Sequence, residues 1–121
     1  MEIVAKISIL IVALEHFYIL WLEMFAWKTR GPKVFRSIPK DLFEKTEMMA
    51  KNQGLYNGFL AVGLIWSCLI ENVIWSKNIA IFFLSCVIVA AIYGAITVDK
   101  RIFFTQGIPA IIALFLTLFF L

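Results

Sequence analysis

The chain has 121 residues, of which 63% are hydrophobic and 16% are charged, and its mean hydropathy is +0.95. A soluble domain of this length needs far more polar surface, so the composition excludes that class and predicts one membrane domain over residues 1–121. The net charge of +3 does not indicate a nucleic-acid partner, because the basic residues are concentrated in one loop beside apolar segments.

Four apolar segments follow one another along the chain, at about residues 3–27, 49–70, 79–98 and 102–121. Each is long enough for a helix that crosses a hydrocarbon core of about 30 Å. A spanning helix satisfies its own backbone polar groups. The first segment is longer than the apolar region of a signal peptide and lacks a basic stretch before it, so we expect a retained helix. The pattern predicts an all-α membrane protein, a bundle of four transmembrane helices.

Basic residues set the expected orientation of this bundle. Seven lie in or next to the link between the first two helices: Lys28, Arg30, Lys33, Arg36, Lys40, Lys45 and Lys51. Lys100 and Arg101 lie in the third link, whereas the opposite side has only Lys6 and Lys77. Because positive charge favours the cytoplasmic side, we expect the first and third links in the cytoplasm and both termini outside.

The first link has two possible structures. Gly31 and Pro32 predict a turn. The polar stretch 40–51 then suits a short amphipathic helix at the membrane surface, whose apolar side chains enter the lipid, namely Leu42, Phe43 and Met49. The alternative is a solvated loop that only sets the topology.

Ionisable residues occur inside the first predicted helix. Glu15 and His16 fall near its middle, and Glu23 lies about one turn from its cytoplasmic end. Such a group within the bilayer costs about 2.5–3.5 kcal/mol on insertion scales. These residues therefore require partners, water or a function.

The other helices also have polar side chains in the cytoplasmic half of the membrane. This pattern predicts a polar pocket there, with Glu15 and His16 at its floor. Pro109 removes one helical hydrogen bond and frees the carbonyl of Thr105. The alternative is a purely structural hydrogen-bond network, and Gln53, Asn57 and Gln106 each fit that role when taken singly. The candidate site residues are Glu15, His16, Glu23, Asn52, Gln53, Tyr56, Asn57, Thr97 and Gln106.

Cys68 and Cys86 are single cysteines within apolar stretches, so we expect neither a disulfide nor a metal or cofactor site. Gly54 and Gly58 form a GxxxG pattern, and Ala90 and Gly94 repeat its spacing. Small residues at this spacing allow close helix packing, either within the bundle or between subunits.

Several of these residues lie in stretches that resemble a known family. The stretches are ALEH at 13–16, EMFAW at 23–27, NQGLYNGFL at 52–60 and QGIPA at 106–110. They are similar to small bacterial membrane proteins catalogued as domain of unknown function 1304. The resemblance covers almost the whole chain and implies a four-helix, multi-pass protein of the bacterial cytoplasmic membrane. It implies no activity.

Three functions fit the residues. The first is transport or binding of an ion or small polar solute, with His16 as a protonation switch and Glu15 and Glu23 as its partners, in a homo-oligomer. The second is a membrane enzyme that acts on a lipid-like or quinone-like substrate through Glu and His acid–base or metal chemistry. The third is an accessory subunit that docks another membrane protein, in which case the polar cluster faces lipid and not the bundle axis.

Overall fold

The computed structural model describes all 121 residues, which form only helices and links. The six α-helices are α1 Glu2–Phe25, α2 Gly31–Val34, α3 Leu42–Lys45, α4 Glu47–Leu69, α5 Val73–Thr97 and α6 Ile108–Phe120, and a π-helical turn, Phe103–Gly107, leads into α6. The all-helical class is as predicted. The third predicted segment begins earlier than expected, at residue 73, because the Asn72 side chain accepts a hydrogen bond from the Trp75 backbone N–H and caps α5.

Three helices are long and apolar enough to cross a membrane: Glu2–Phe25, Val73–Thr97 and Phe103–Phe120. The remaining long helix, α4, has 23 residues but is less apolar. Its first half contains charged and amide side chains at Glu47, Lys51, Asn52, Gln53 and Asn57. These polar residues, and not insufficient length, distinguish α4 from the other three.

The long helices pack as a bundle in which α1 makes its most extensive contact with α4 and a smaller one with α6, while α5 packs on both α4 and α6. The main apolar core lies in the half nearest the two termini. It is formed by Ile9, Val12, Ala13, Leu64, Ala80, Leu84, Val87, Ala110 and Ala113, nearly all with no exposed surface. We call this half the terminal half and the other, which faces the first and third links, the loop half.

Gly54 and Gly58 bring α4 against α1. A Cβ added at Gly54 would lie 2.7 Å from Met24 Cγ and 3.0 Å from Glu23 Cβ, and one added at Gly58 would lie 2.5 Å from Leu20 Cδ1. The GxxxG pattern therefore acts within the bundle. Because it brings the backbones close beside Glu23, it also places the neighbouring amides of α4 within reach of that carboxyl group.

Helices α4 and α5 touch in the terminal half and separate in the loop half. The Phe83 ring lies directly over Gly63, and Ser76 Oγ donates a 2.6 Å hydrogen bond to the Ser67 carbonyl. In the loop half, Tyr56 and Tyr93 lie on either side of a cavity and are 60% and 69% exposed. This cavity therefore lies between the two helices at the level of these tyrosines.

The first link folds back onto the bundle around Trp27. The Trp27 ring centroid is 4.8 Å from that of Phe43, and its indole N–H donates a 3.0 Å hydrogen bond to Thr46 Oγ1. Phe43 is only 2% exposed, so the prediction that it enters the lipid is wrong. Trp27 provides an aromatic surface for it, and Gly31 leaves the space that the ring needs.

The expected helix over 40–51 is interrupted. It consists of the single turn α3 and then the first residues of α4, with Thr46 between them. Leu42 and Met49 remain exposed. Ser37 Oγ donates a 3.2 Å hydrogen bond to the Val98 carbonyl, which places the first and third links at the same end of the bundle.

Candidate functional site

The loop half encloses a cavity of about 560 Å³, lined by residues from α1, α4, α5, the π-helical turn and the first link. Most of its lining is apolar. The polar side chains that line it are those of Glu23, Thr46, Gln53, Tyr56, Asn57, Tyr93, Thr97 and Gln106. We call it the main cavity.

Glu23 is the centre of the polar part of the main cavity. Its side chain is 1% exposed, and its two oxygens accept hydrogen bonds from Gln53 Nε2 at 2.8 Å and Asn57 Nδ2 at 2.6 Å. The two amides lie four residues apart on one face of α4, which the close α1–α4 contact turns towards Glu23. Hydrogen bonds to a carboxylate are about twice as strong as neutral ones, so this arrangement stabilises a buried acidic group.

The chemistry of the carboxylate determines how the two amides are oriented. When Glu23 is ionised, it can only accept hydrogen bonds, and the amide nitrogens of Gln53 and Asn57 are placed to donate them. Their side-chain carbonyl oxygens then receive no hydrogen bond from the protein. Both residues line the main cavity, and they therefore offer it acceptors.

Glu15 lies at a different cavity. This second cavity has a volume of about 260 Å³ and is lined by Glu15, Tyr18, Asp99, Arg101, Thr105 and Gln106, together with apolar residues. Glu15 Oε1 is buried and has no hydrogen-bond partner. Gln106 lines both cavities. The expectation of one pocket with Glu15 at its floor is thus corrected to two adjacent cavities, because a separation of eight residues rotates Glu15 by about 80° from Glu23.

His16 lines neither cavity. It shares a helix face with Glu23 but lies about 10 Å further along α1, beside the tightly packed terminal half. It is almost fully buried, and its Nδ1 lies 2.9 Å from the Val12 carbonyl oxygen. The expected position of His16 at the pocket floor is therefore also corrected.

The remaining candidates on α4, α5 and the π-helical turn divide in a similar way. Tyr56, Thr97 and Gln106 line the main cavity. Asn52 is exposed and lines neither cavity, because it is about 100° around α4 from Gln53. Six of the nine candidate residues thus meet at the main cavity: Glu23, Gln53, Tyr56, Asn57, Thr97 and Gln106.

Residues of the first link complete the main cavity and were not among the sequence candidates. Phe35, Ile38 and Leu42 form part of its wall. In the sequence, these residues are apolar side chains spaced through an otherwise basic loop. An interpretation based on charge assigns such side chains to lipid or solvent. Only the folding of this link onto Trp27 places them at the site.

The π-helical turn places Gln106 between the two cavities. It precedes Pro109, which has no backbone N–H and cannot continue a regular hydrogen-bond ladder. Local π turns often occur at functional sites. Nearby, Arg101 donates a 2.9 Å hydrogen bond to Asp99, and this contact lowers the pKa of the Asp99 carboxyl group.

Comparison with known proteins agrees with the resemblance in the sequence. A family model described as protein of unknown function (DUF1304) matches residues 10–118. The chain is 36% identical to the uncharacterized protein YpaA of Lactococcus lactis subsp. lactis (strain IL1403), over 98% of this chain and 100% of that protein. No solved structure matches the chain. The match covers Glu15 and Glu23 of α1, Gln53 and Asn57 of α4 and the π-helical turn, and the chain therefore belongs to the DUF1304 family.

Proposed function

We propose that this protein crosses the bacterial cytoplasmic membrane four times and binds a small amphiphilic molecule in the main cavity. The observation that carries the proposal is a buried carboxylate, Glu23, held by two amides at one side of a largely apolar cavity. Cavities of about 300–1,000 Å³ with apolar walls and a few oriented polar groups are typical ligand sites.

The topology supports entry of such a ligand from the membrane. Helix α4 packs along α1, which is long and apolar enough to span, so we place α4 across the membrane as well. With the basic links in the cytoplasm, the main cavity lies in the inner leaflet. Because Tyr56 and Tyr93 are exposed and line the cavity, we place its entrance between them, where it faces lipid and an amphiphile can enter sideways.

Binding is better supported than permeation or acid–base catalysis. Buried side chains of the apolar core close the terminal half, so a transport route requires the helices to move apart. His16 reaches neither cavity, so the Glu and His pair that the enzyme hypothesis needs is not assembled. The burial of Glu23 inside the bundle also argues against an accessory role, which predicts a polar cluster that faces lipid.

A fluorescence experiment tests the proposal directly. Trp27 lines the main cavity, so a variant that keeps Trp27 and replaces the other tryptophans with Phe reports on its occupancy. The probe is bromododecanol, whose bromine quenches indole fluorescence, added to this protein in phosphatidylcholine nanodiscs. We expect saturable quenching, whereas partition into lipid alone produces quenching that rises without saturation.

A matched pair of variants provides the control. Ala90→Phe places a ring in the main cavity, whereas Val62→Phe adds the same ring to an exposed position of α4 outside it. We expect Ala90→Phe to weaken the probe's binding about tenfold, which corresponds to 1.4 kcal/mol, and Val62→Phe to leave it unchanged. Equal, non-saturating quenching in all three proteins would overturn the proposal.

A further inference from the structure

The charges that line the main cavity favour one kind of headgroup. Glu23 is the only acidic or basic residue among those that line it. The basic residues of the first link do not line the cavity, although they are numerous at the same end of the bundle. An anionic headgroup beside Glu23 would therefore meet a like charge without a compensating cation, and would be disfavoured.

The unpaired hydrogen-bond acceptors near Glu23 also disfavour an anionic headgroup. Each carboxylate oxygen accepts one amide hydrogen bond and has a further lone pair available. The side-chain carbonyls of Gln53 and Asn57 also lack donors. On the opposite wall, the Thr97 hydroxyl already donates to the Tyr93 carbonyl at 2.7 Å and retains acceptor capacity. The acceptors at Glu23 therefore favour a ligand group that donates several hydrogen bonds.

The rest of the cavity suits an apolar body attached to that group. Phe35, Ile38 and Leu42 cover it from the first link, Leu60 lines it from α4 and Ile102 from the third link. Burying an alkyl chain against such walls contributes to affinity with each methylene group that is removed from water. The apolar part supplies affinity, and the headgroup supplies selectivity.

We infer that the main cavity selects amphiphiles whose headgroup donates hydrogen bonds and carries positive charge, with a primary ammonium bound better than an alcohol and an alcohol better than a carboxylate. This inference rests on the proposed function and names the ligand class for that same site. An ammonium group has enough donors for Glu23 and both free amide carbonyls, because it has three N–H groups and no acceptor. An alcohol satisfies one of them, and a carboxylate none.

The test is a competition series on one alkyl chain. Dodecylamine, dodecanol and dodecanoate displace bromododecanol from the Trp27-only protein in phosphatidylcholine nanodiscs at neutral pH, with each concentration corrected for partition into protein-free nanodiscs. We expect the amine to compete at least tenfold better than the carboxylate, with the alcohol between them.

Two matched substitutions identify the responsible group. Glu23→Gln removes the charge with little change in shape, and we expect the amine's advantage over the alcohol to disappear. Glu15→Gln removes the other membrane carboxylate, which does not line the main cavity, and we expect the order to remain. Loss of the order in Glu15→Gln with retention in Glu23→Gln would overturn the assignment to Glu23.

A fourth ligand keeps the test decisive even if Glu23→Gln does not fold. Dodecyltrimethylammonium carries the charge but has no N–H donor, so we expect it to bind the unmodified site more weakly than dodecylamine. Equal competition by all the ligands, or the strongest by dodecanoate, would overturn the headgroup inference and leave the cavity as a general amphiphile site. Failure of every ligand to compete saturably would instead overturn the proposed function itself.

Discussion

At the scale of single residues, two carboxylates of α1 have opposite environments. Both Glu23 oxygens accept hydrogen bonds, whereas Glu15 Oε1 is buried without a partner. A buried polar group without a hydrogen bond costs about 1–3 kcal/mol, whereas removing one member of a satisfied network leaves the other members unpaired. The unpaired oxygen of Glu15 therefore reduces stability, and Glu23 supports the α1–α4 interface.

The two residues should respond oppositely to the same substitution. We expect Glu15→Leu to raise the free energy of unfolding by about 1–3 kcal/mol, because it removes the unpaired oxygen. We expect Glu23→Leu to lower it by a similar amount, because Gln53 and Asn57 lose their shared acceptor. Thermal unfolding of the three proteins in one detergent measures the order. A higher midpoint for Glu23→Leu than for Glu15→Leu would contradict this explanation.

At the scale of helices, the α1–α4 contact depends on Gly54 more than on Gly58. A Cβ at Gly54 meets Met24 Cγ, Glu23 Cβ and the Leu20 backbone oxygen within 3.2 Å, whereas one at Gly58 meets only the mobile end of the Leu20 side chain closely. Backbone and Cβ atoms cannot rotate away, but a terminal methyl group can. The GxxxG motif therefore contains one strict position and one tolerant position.

An alanine at each glycine tests this difference. We expect Gly54→Ala to destabilise the protein by about 1–3 kcal/mol through overpacking and to weaken amphiphile binding, because it displaces Glu23 from its amides. Gly58→Ala should be close to neutral, because the higher helix propensity of Ala, worth up to about 1 kcal/mol, offsets a small shift of Leu20. Unfolding midpoints and bromododecanol binding measure both effects. Equal losses in the two variants would show that the motif is uniformly tight.

At the scale of the whole molecule, the proposed crossing of the membrane by α4 decides which links share a side. With four spans, the first and second links lie on opposite sides, but if α4 stays at the surface they lie on the same side. Ser37 and Glu71 are exposed residues of these two links, so each can report the location of its link.

Cysteine labelling distinguishes these topologies. In a protein whose native Cys68 and Cys86 are replaced by Ala, we expect Glu71→Cys to react with a membrane-impermeant maleimide in intact cells. Ser37→Cys should react only after the membrane is permeabilised. Labelling of both positions under the same condition would exclude the four-span arrangement, and labelling of Ser37→Cys alone in intact cells would invert the proposed orientation.

Three features could be predicted from the amino-acid sequence alone: the four long helices, the concentration of polar residues in the loop half and the basic end of the bundle. Helix length, hydropathy and charge are properties of local segments, so they can be read without knowing how the segments pack. That Glu23 and Gln53 lie at the same depth was also predictable, because depth follows from counting residues along a helix.

Which polar groups contact one another depends on how the helices pack, and this could not be predicted from local segments. Glu15, His16 and Glu23 lie on one helix, yet their surroundings differ. Glu15 has an unpaired oxygen, His16 bonds to the Val12 carbonyl, and Glu23 has two amide partners. Rotation by about 100° for each residue directs neighbouring side chains to different surroundings. Two contacts between residues far apart in the chain then determine those surroundings. Glycines of α4 pack against α1, and the first link folds onto Trp27.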